Sequence, residues 1–240
     1  MLNYNTIAGL VEQAEQAGKP ISELVLAQQA EQTERTEGDL YEEMRRTFRV
    51  MEESVASGID PDLRSTSGLT GGAAYRMQQA LREGRTICGE VFGGALTRAL
   101  AVSELNASMG RIVASPTAGS CGILPAAVLT IRDARGLDER TCVISLFTAS
   151  AVGMVIANNA CLAGAQGGCQ AECGSASAMA AAALVELAGG APDMVANAVA
   201  IAIKNILGLV CDPVAGLVEI PCIKRNASGV ANALCAAELA

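Results

Sequence analysis

Residues 176–190 read ASAMAAAALVELAGG, and this run decides the fold class. It is built almost wholly from strong helix formers and ends on Gly189-Gly190, a pair suited to stopping a helix. Pro192 fits the first position of a following helix, where its missing N–H is no loss. The same bias runs through the whole chain. Of 240 residues, 51% are hydrophobic but only 2% aromatic, with no Trp and 25 Gly. Apolar mass made of Ala, Val, Leu and Ile lets helices approach closely. The expected class is all-α, a tightly packed helical domain with functional loops between its helices.

Periodicity extends this outward. Ile7, Leu10, Val11 and Ala14 mark a helix over 5–18 that stops at Gly18. Ser22 is expected to cap a second helix to about Ala30, and Gly38 or Asp39 to open a third, running to Gly58 on Leu40, Met44, Phe48 and Met51. Further helices fit 73–83, about 90–109, a segment ending at Arg135 with Gly136 as its stop, 139–157, 176–188 and 193–207. The only alternating segment is 216–220, a possible strand. The connections 64–72, 115–122, 164–175 and 211–229 read as polar, Gly-rich loops, where function on a helical scaffold is expected. Residues 1–60, rich in Glu and Arg, are expected to form an N-terminal helical segment, and 61–240 the catalytic region.

Net charge is −8, which argues against nucleic acid as a partner. From Thr141 to Ile203 there is no Lys or Arg. The longest apolar run there, VISLFTASAVGMVIA at 143–157, falls short of the roughly 20 residues of a spanning helix and lacks basic flanks. A buried core is expected, with no membrane partner. The acidic, amphipathic N-terminus does not resemble a signal peptide, and a cytoplasmic location is expected.

The chain has nine Cys and no His. An odd count in a cytoplasmic setting disfavours a disulfide framework. Cys142, Cys161 and Cys235 lie in apolar helical stretches and read as small buried hydrophobes. The lack of His removes the Ser-His-Asp triad, the Cys-His dyad, the HExxH zinc site and the two-His iron triad from this chain. Cys169 and Cys173 in GAQGGCQAECGS, with Cys211 and Cys222 in CDPVAGLVEIPC, fall in the expected loops. Soft thiolates without His select an iron–sulfur cluster, zinc or copper(I), and inert thiols are the plain alternative.

STSGLTGG (65–72) and SPTAGS (115–120) bring hydroxyls and Gly-exposed N–H groups to helix starts, either as small-anion nests or as simple N-caps. Neither matches a nucleotide-binding motif. The lysines are Lys19, Lys204 and Lys224. Lys224, Arg225 and Asn226 follow Cys222 directly, where cations would hold an anionic substrate. A pyridoxal phosphate Schiff base on Lys204 or Lys224 is conceivable, but no phosphate cup accompanies either.

SGLTGG (67–72), SPTAGSCGILP (115–125), IANNA (156–160), GGCQAECGSASAMAAAALVELAGG (167–190) and NILGLVCDPVAGLVEIPCIKRNA (205–227) together resemble the α chain of the iron–sulfur L-serine dehydratases. The resemblance covers almost the whole chain. It implies conversion of L-serine to pyruvate and ammonia with a [4Fe–4S] cluster and no pyridoxal phosphate. It implies cluster ligands at Cys169, Cys211 and Cys222. Cys173 stands where relatives commonly lack Cys and Cys121 at a variable position, so neither is included. Three thiolates on four irons leave one iron open, as a catalytic zinc site keeps a position for substrate, to act as a Lewis acid on the serine hydroxyl. The resemblance also puts Ser67, Thr70, Ser115, Thr117 and Gly119 at the substrate site, with Lys224, Arg225 and Asn226 as carboxylate-binding candidates. The base is left open among an activated Ser or Thr, Lys204 and Lys224.

Family members have a β domain or a separate β subunit, so this chain resembles the α half and is expected to need a β partner and to form an oligomer. They also continue past the position of Ala240, which makes truncation at that end an open expectation. The competing reading is a non-catalytic protein whose thiols hold structural zinc or an electron-transfer cluster.

Overall fold

The computed structural model describes residues 4–240. They form α1 (Ile7–Ala17), α2 (Ile21–Thr33), α3 (Glu37–Gly58), α4 (Ala73–Arg82), α5 (Gly89–Ala107), α6 (Ile123–Arg135), α7 (Glu139–Asn159), the short α8 (Gly164–Gly167), α9 (Cys169–Leu187), α10 (Pro192–Ile206) and α11 (Cys222–Leu239). No strand occurs among the described residues, so the all-α expectation holds and 216–220 is not a strand. The backbone there is irregular, with a 3-10 turn at Val214–Gly216.

α9 is the central helix. Every residue from Cys173 to Val185 is buried, and α6, α7, α10 and α11 all pack on it. An Ala-rich surface makes this possible, because a methyl group keeps neighbouring helix axes close on every side. The larger core side chains, Phe48, Phe147, Ile123 and Leu10, fill the spaces farther out. The buried cluster runs from Tyr4 to Ala236 and takes in residues on both sides of position 60.

Several boundaries differ from the expectation, each for a local reason. α2 starts at Ile21, and Ser22 is not its cap. Instead the Ser22 N–H donates to Glu186 Oε2 on α9 at 3.3 Å. α3 is capped by Thr36, whose hydroxyl accepts from Asp39 N–H while the Asp39 carboxylate accepts from Thr36 N–H. α9 begins seven residues before Ala176. Its glycines are not loop signals: Gly174 is an ordinary helical residue, and Gly168, with φ of 79°, sits just outside the first turn. Likewise 222–229 is not a loop but the start of α11. Cys161 lies just past α7 and is exposed, and Cys235 is exposed on α11, so of the three thiols read as core only Cys142 is buried.

α7 extends the apolar run to 21 residues and by length and composition is long enough to cross a membrane. In this fold it packs against α9, α2, α3 and α6, with Val143, Leu146, Phe147 and Val152 buried there.

Candidate active site

Two helix starts and one connecting segment meet at one end of α9. Cys169 is the first residue of α9 and Cys222 the first of α11, while Cys211 lies in the connection between α10 and α11. Gly168 turns the chain into α9 with its Cα against the Leu209 carbonyl. A Cβ there would stand 2.8 Å from that oxygen. Gln170 N–H donates to the same carbonyl at 2.9 Å, and its side-chain oxygen accepts from Gly208 N–H at 2.8 Å. The start of α9 is thereby fastened to the strand of chain that leads into Cys211.

Arg225, in the first turn of α11, completes the assembly. Its Nη1 reaches Cys169 Sγ at 3.1 Å, the Val210 carbonyl at 3.0 Å and the Asp212 carboxylate at 2.6 Å. The thiols feel one another electrostatically. Cys169 is held down to about 6, first by a hydrogen bond from the Cys173 thiol and then by Arg225. Cys173 is correspondingly pushed up, by that hydrogen bond and by burial. Cys222 is pushed up to about 11 by burial, and then by negative charge at Cys169, Glu172 and Cys211. Cys169 is buried, Cys222 half-buried and Cys211 exposed.

Two carboxylates that the sequence reading passed over organise the hydroxyl-rich loops. Glu172 stands one turn along α9 from Cys169 and accepts a short hydrogen bond from the Thr117 hydroxyl. Its carboxylate presses on two glycines: a Cβ on Gly119 would lie 2.6 Å from Oε1, and one on Gly164 would lie 2.9 Å from Oε2. A side chain at either glycine would push the Glu172 carboxylate from this position. Thr117 also pairs with Ser120 at 3.0 Å, in the 3-10 turn Ala118–Ser120. Ser115 is buried, and its hydroxyl has no hydrogen-bond partner.

Glu219 does the same for the other loop. Its Oε2 accepts from Ser67 Oγ at 2.9 Å and Thr70 Oγ1 at 2.8 Å, while Ser65 pairs with Ser67 at 3.3 Å. Burial works to raise the Glu219 carboxyl, but the Ser65, Thr70 and Ser67 donors outweigh it and hold it below the usual range. Thr70, Glu219 and Lys224 line a cavity of about 330 Å³ together with Arg76 and Glu104. Both oxygens of Glu104 are already taken by the start of α4, accepting from Ala73 N–H at 2.8 Å and Ala74 N–H at 2.9 Å.

Of the residues singled out from sequence, Cys169, Cys211 and Cys222 therefore lie on segments fastened to one another. Ser67 and Thr70 meet at Glu219, and Thr117 and Gly119 meet at Glu172. Lys224 lines the cavity. Arg225 and Asn226 both make bonds within the protein. Arg225 is bound to protein acceptors, and Asn226 is buried, with Nδ2 donating to the Gly119 and Cys222 carbonyls at 2.7 and 3.0 Å and Oδ1 accepting from Gly122 N–H at 2.9 Å. Asn226 pins the 115–122 loop to the helix of Cys222. Lys204, the other candidate base, is exposed on α10 and does not line this cavity.

Residues 16–240 match the family model described as serine dehydratase alpha chain. The probable L-serine dehydratase, alpha chain, of Bacillus subtilis is 46% identical over 237 residues, 99% of this chain and 79% of that one. The L-serine dehydratase, alpha chain, of Peptoniphilus asaccharolyticus is 42% identical, over 98% of this chain and 81% of that one. The L-serine dehydratase of Streptomyces coelicolor is 39% identical over 99% of this chain but only 52% of its own length. The chain belongs to the serine dehydratase alpha chain family.

Proposed function

We propose that this chain is the α subunit of an L-serine dehydratase that works in the cytoplasm with a β partner and holds a [4Fe–4S] cluster on Cys169, Cys211 and Cys222. The relatives' names support the substrate and the α-chain role. The observation that carries the cluster reading is the meeting of these three cysteine-bearing segments under Arg225.

The donor set suits such a group. Thiols without His are the ligand type that iron–sulfur clusters take, and Cys169 is already disposed to be a thiolate. Negative charge at Cys169, Glu172 and Cys211 acts on the Cys222 thiol, an effect that a cationic centre would relieve. Once bound, the cluster supplies a Lewis acid for the departing hydroxyl, with one iron free of protein ligands.

The chain's own residues do the rest. Glu172 and Asn226 fix the Thr117–Gly119 loop beside the cysteines, and Glu219 fixes the Ser67–Thr70 loop on the cavity wall. Lys224 offers a cation for the substrate carboxylate at that wall. The net reaction removes the α-proton and the β-hydroxyl of L-serine, and hydrolysis of the resulting enamine gives pyruvate and ammonia. The test is pyruvate formation from L-serine by anaerobically prepared protein with its β partner. Activity that is lost in air and on iron chelation supports the reading, and activity in a colourless zinc-loaded protein contradicts it.

A further inference from the structure

The 330 Å³ cavity lies near the small end of ligand pockets, which span about 300–1,000 Å³. It carries charges of both signs. Of its two carboxylates, Glu104 is committed to the start of α4, as described above. Glu219 is different. It is only 7% exposed and has no cation paired with it among the described residues; neutral donors alone hold it, Ser67 and Thr70 on Oε2 with Ser65 beside them. The cations are Arg76, which donates to the Gly71 carbonyl at 3.3 Å, and Lys224, which has no ion pair among the described residues. A larger cavity of about 470 Å³ beside Cys173 and Arg225 has no carboxylate in its lining among the described residues.

A buried anion fixed by donated hydroxyls, on the same small wall as an unpaired cation, is complementary to an amino-acid zwitterion. We propose that Glu219 receives the α-ammonium of the substrate, so that the site selects an amino acid over the hydroxy acid of the same shape. This rests on the dehydratase reading and adds a role that sequence reasoning did not assign. It also redefines Ser67 and Thr70. Their hydroxyl hydrogens are spent on Glu219, so they are positioning residues that aim its carboxylate. A carboxylate so well supplied with donors is a weak base, and it acts by binding rather than by taking the α-proton.

The test uses the cluster-loaded enzyme with its β partner, L-serine as substrate and L-glycerate, which has a hydroxyl in place of the ammonium, as competitive inhibitor. Glu219→Gln keeps an acceptor for Ser67 and Thr70 but removes the charge. It is expected to raise KM for L-serine by about ten- to a hundredfold, the worth of one charge-assisted hydrogen bond, while the glycerate inhibition constant moves less than about twofold. Glu219→Asp is expected to recover part of the loss. Equal changes for serine and glycerate, or an unchanged KM, overturn the proposal. Should E219Q not fold, Ser67→Ala with Thr70→Val leaves the charge but frees its orientation. A smaller shift in the same serine-to-glycerate ratio then supports the proposal, and an unchanged ratio overturns it. A wild-type enzyme that makes no pyruvate from L-serine removes the dehydratase reading and this inference together, whereas an active wild type beside an indifferent E219Q removes this inference alone.

Discussion

Arg225 on α11 holds Cys169 on α9, with Nη1 3.1 Å from the sulfur, and the same guanidinium grips the residues on either side of Cys211. One side chain thus joins the segments that carry all three proposed ligands. Arg225→Ala should therefore raise the Cys169 thiol from about 6 toward the ordinary thiol range. Thiolate absorbance of the cluster-free protein, taken as the difference from a Cys169→Ala variant, reads this directly. Arg225→Lys should restore part of the effect, because it returns the charge without the planar fork. An unmoved titration would leave Arg225 with no hold on Cys169.

Gly119→Ala places a methyl 2.6 Å from the Glu172 carboxylate, so that carboxylate must shift and its bond from Thr117 is disturbed with it. Overpacking of this kind costs about 1–3 kcal/mol. Thermal unfolding should show the loss, and turnover should fall with it. An unfolding temperature equal to wild type would mean that the loop is not held by Glu172.

The helical fold was legible in the sequence because small, strong helix formers leave little choice, as at 176–188. The site was legible only in part. Ser67, Thr70, Thr117 and the three cysteines stand out by residue type, but Glu172 and Glu219 do not. Each is one acid among many, and its importance lies in partners 55 and 152 residues away in sequence. Glycines beside Cys169 looked like loop signals, yet Gly168 ends a turn while Gly174 is packed within α9. The protein partners of Arg225 and Asn226 were not legible either, because nothing in a sequence shows which backbone carbonyls will surround them.

Glu186 links stability to pH away from the site. Burial raises its carboxyl above the ordinary value of 4.5, against the pull of Ser22 and Thr148 as donors. A raised folded-state pKa gives a contribution that is complete below the unfolded value and is lost as pH rises through the folded one. Wild type should therefore lose stability relative to Glu186→Gln as pH climbs from 4.5 upward. Paired thermal melts across that range check the sign, and a wild type that gains stability relative to Glu186→Gln as pH rises would contradict it.

Among the cysteines, the account divides ligands from packing. Cys169→Ala, Cys211→Ala and Cys222→Ala should each abolish bound iron and sulfide, while Cys142→Ala, buried in the first turn of α7, should retain them. Loss of iron in the Cys142 variant to the same extent would mean that general misfolding, rather than ligation, is being read.

The most direct measurement is electron paramagnetic resonance of the anaerobically prepared protein after mild oxidation. A cluster held by three cysteines has one iron without a protein ligand. Release of that iron should leave a three-iron cluster with its own signal, in step with loss of pyruvate formation from L-serine, and added ferrous iron should restore activity. A protein that carries no iron, or whose cluster keeps all four irons while activity disappears, would contradict the account.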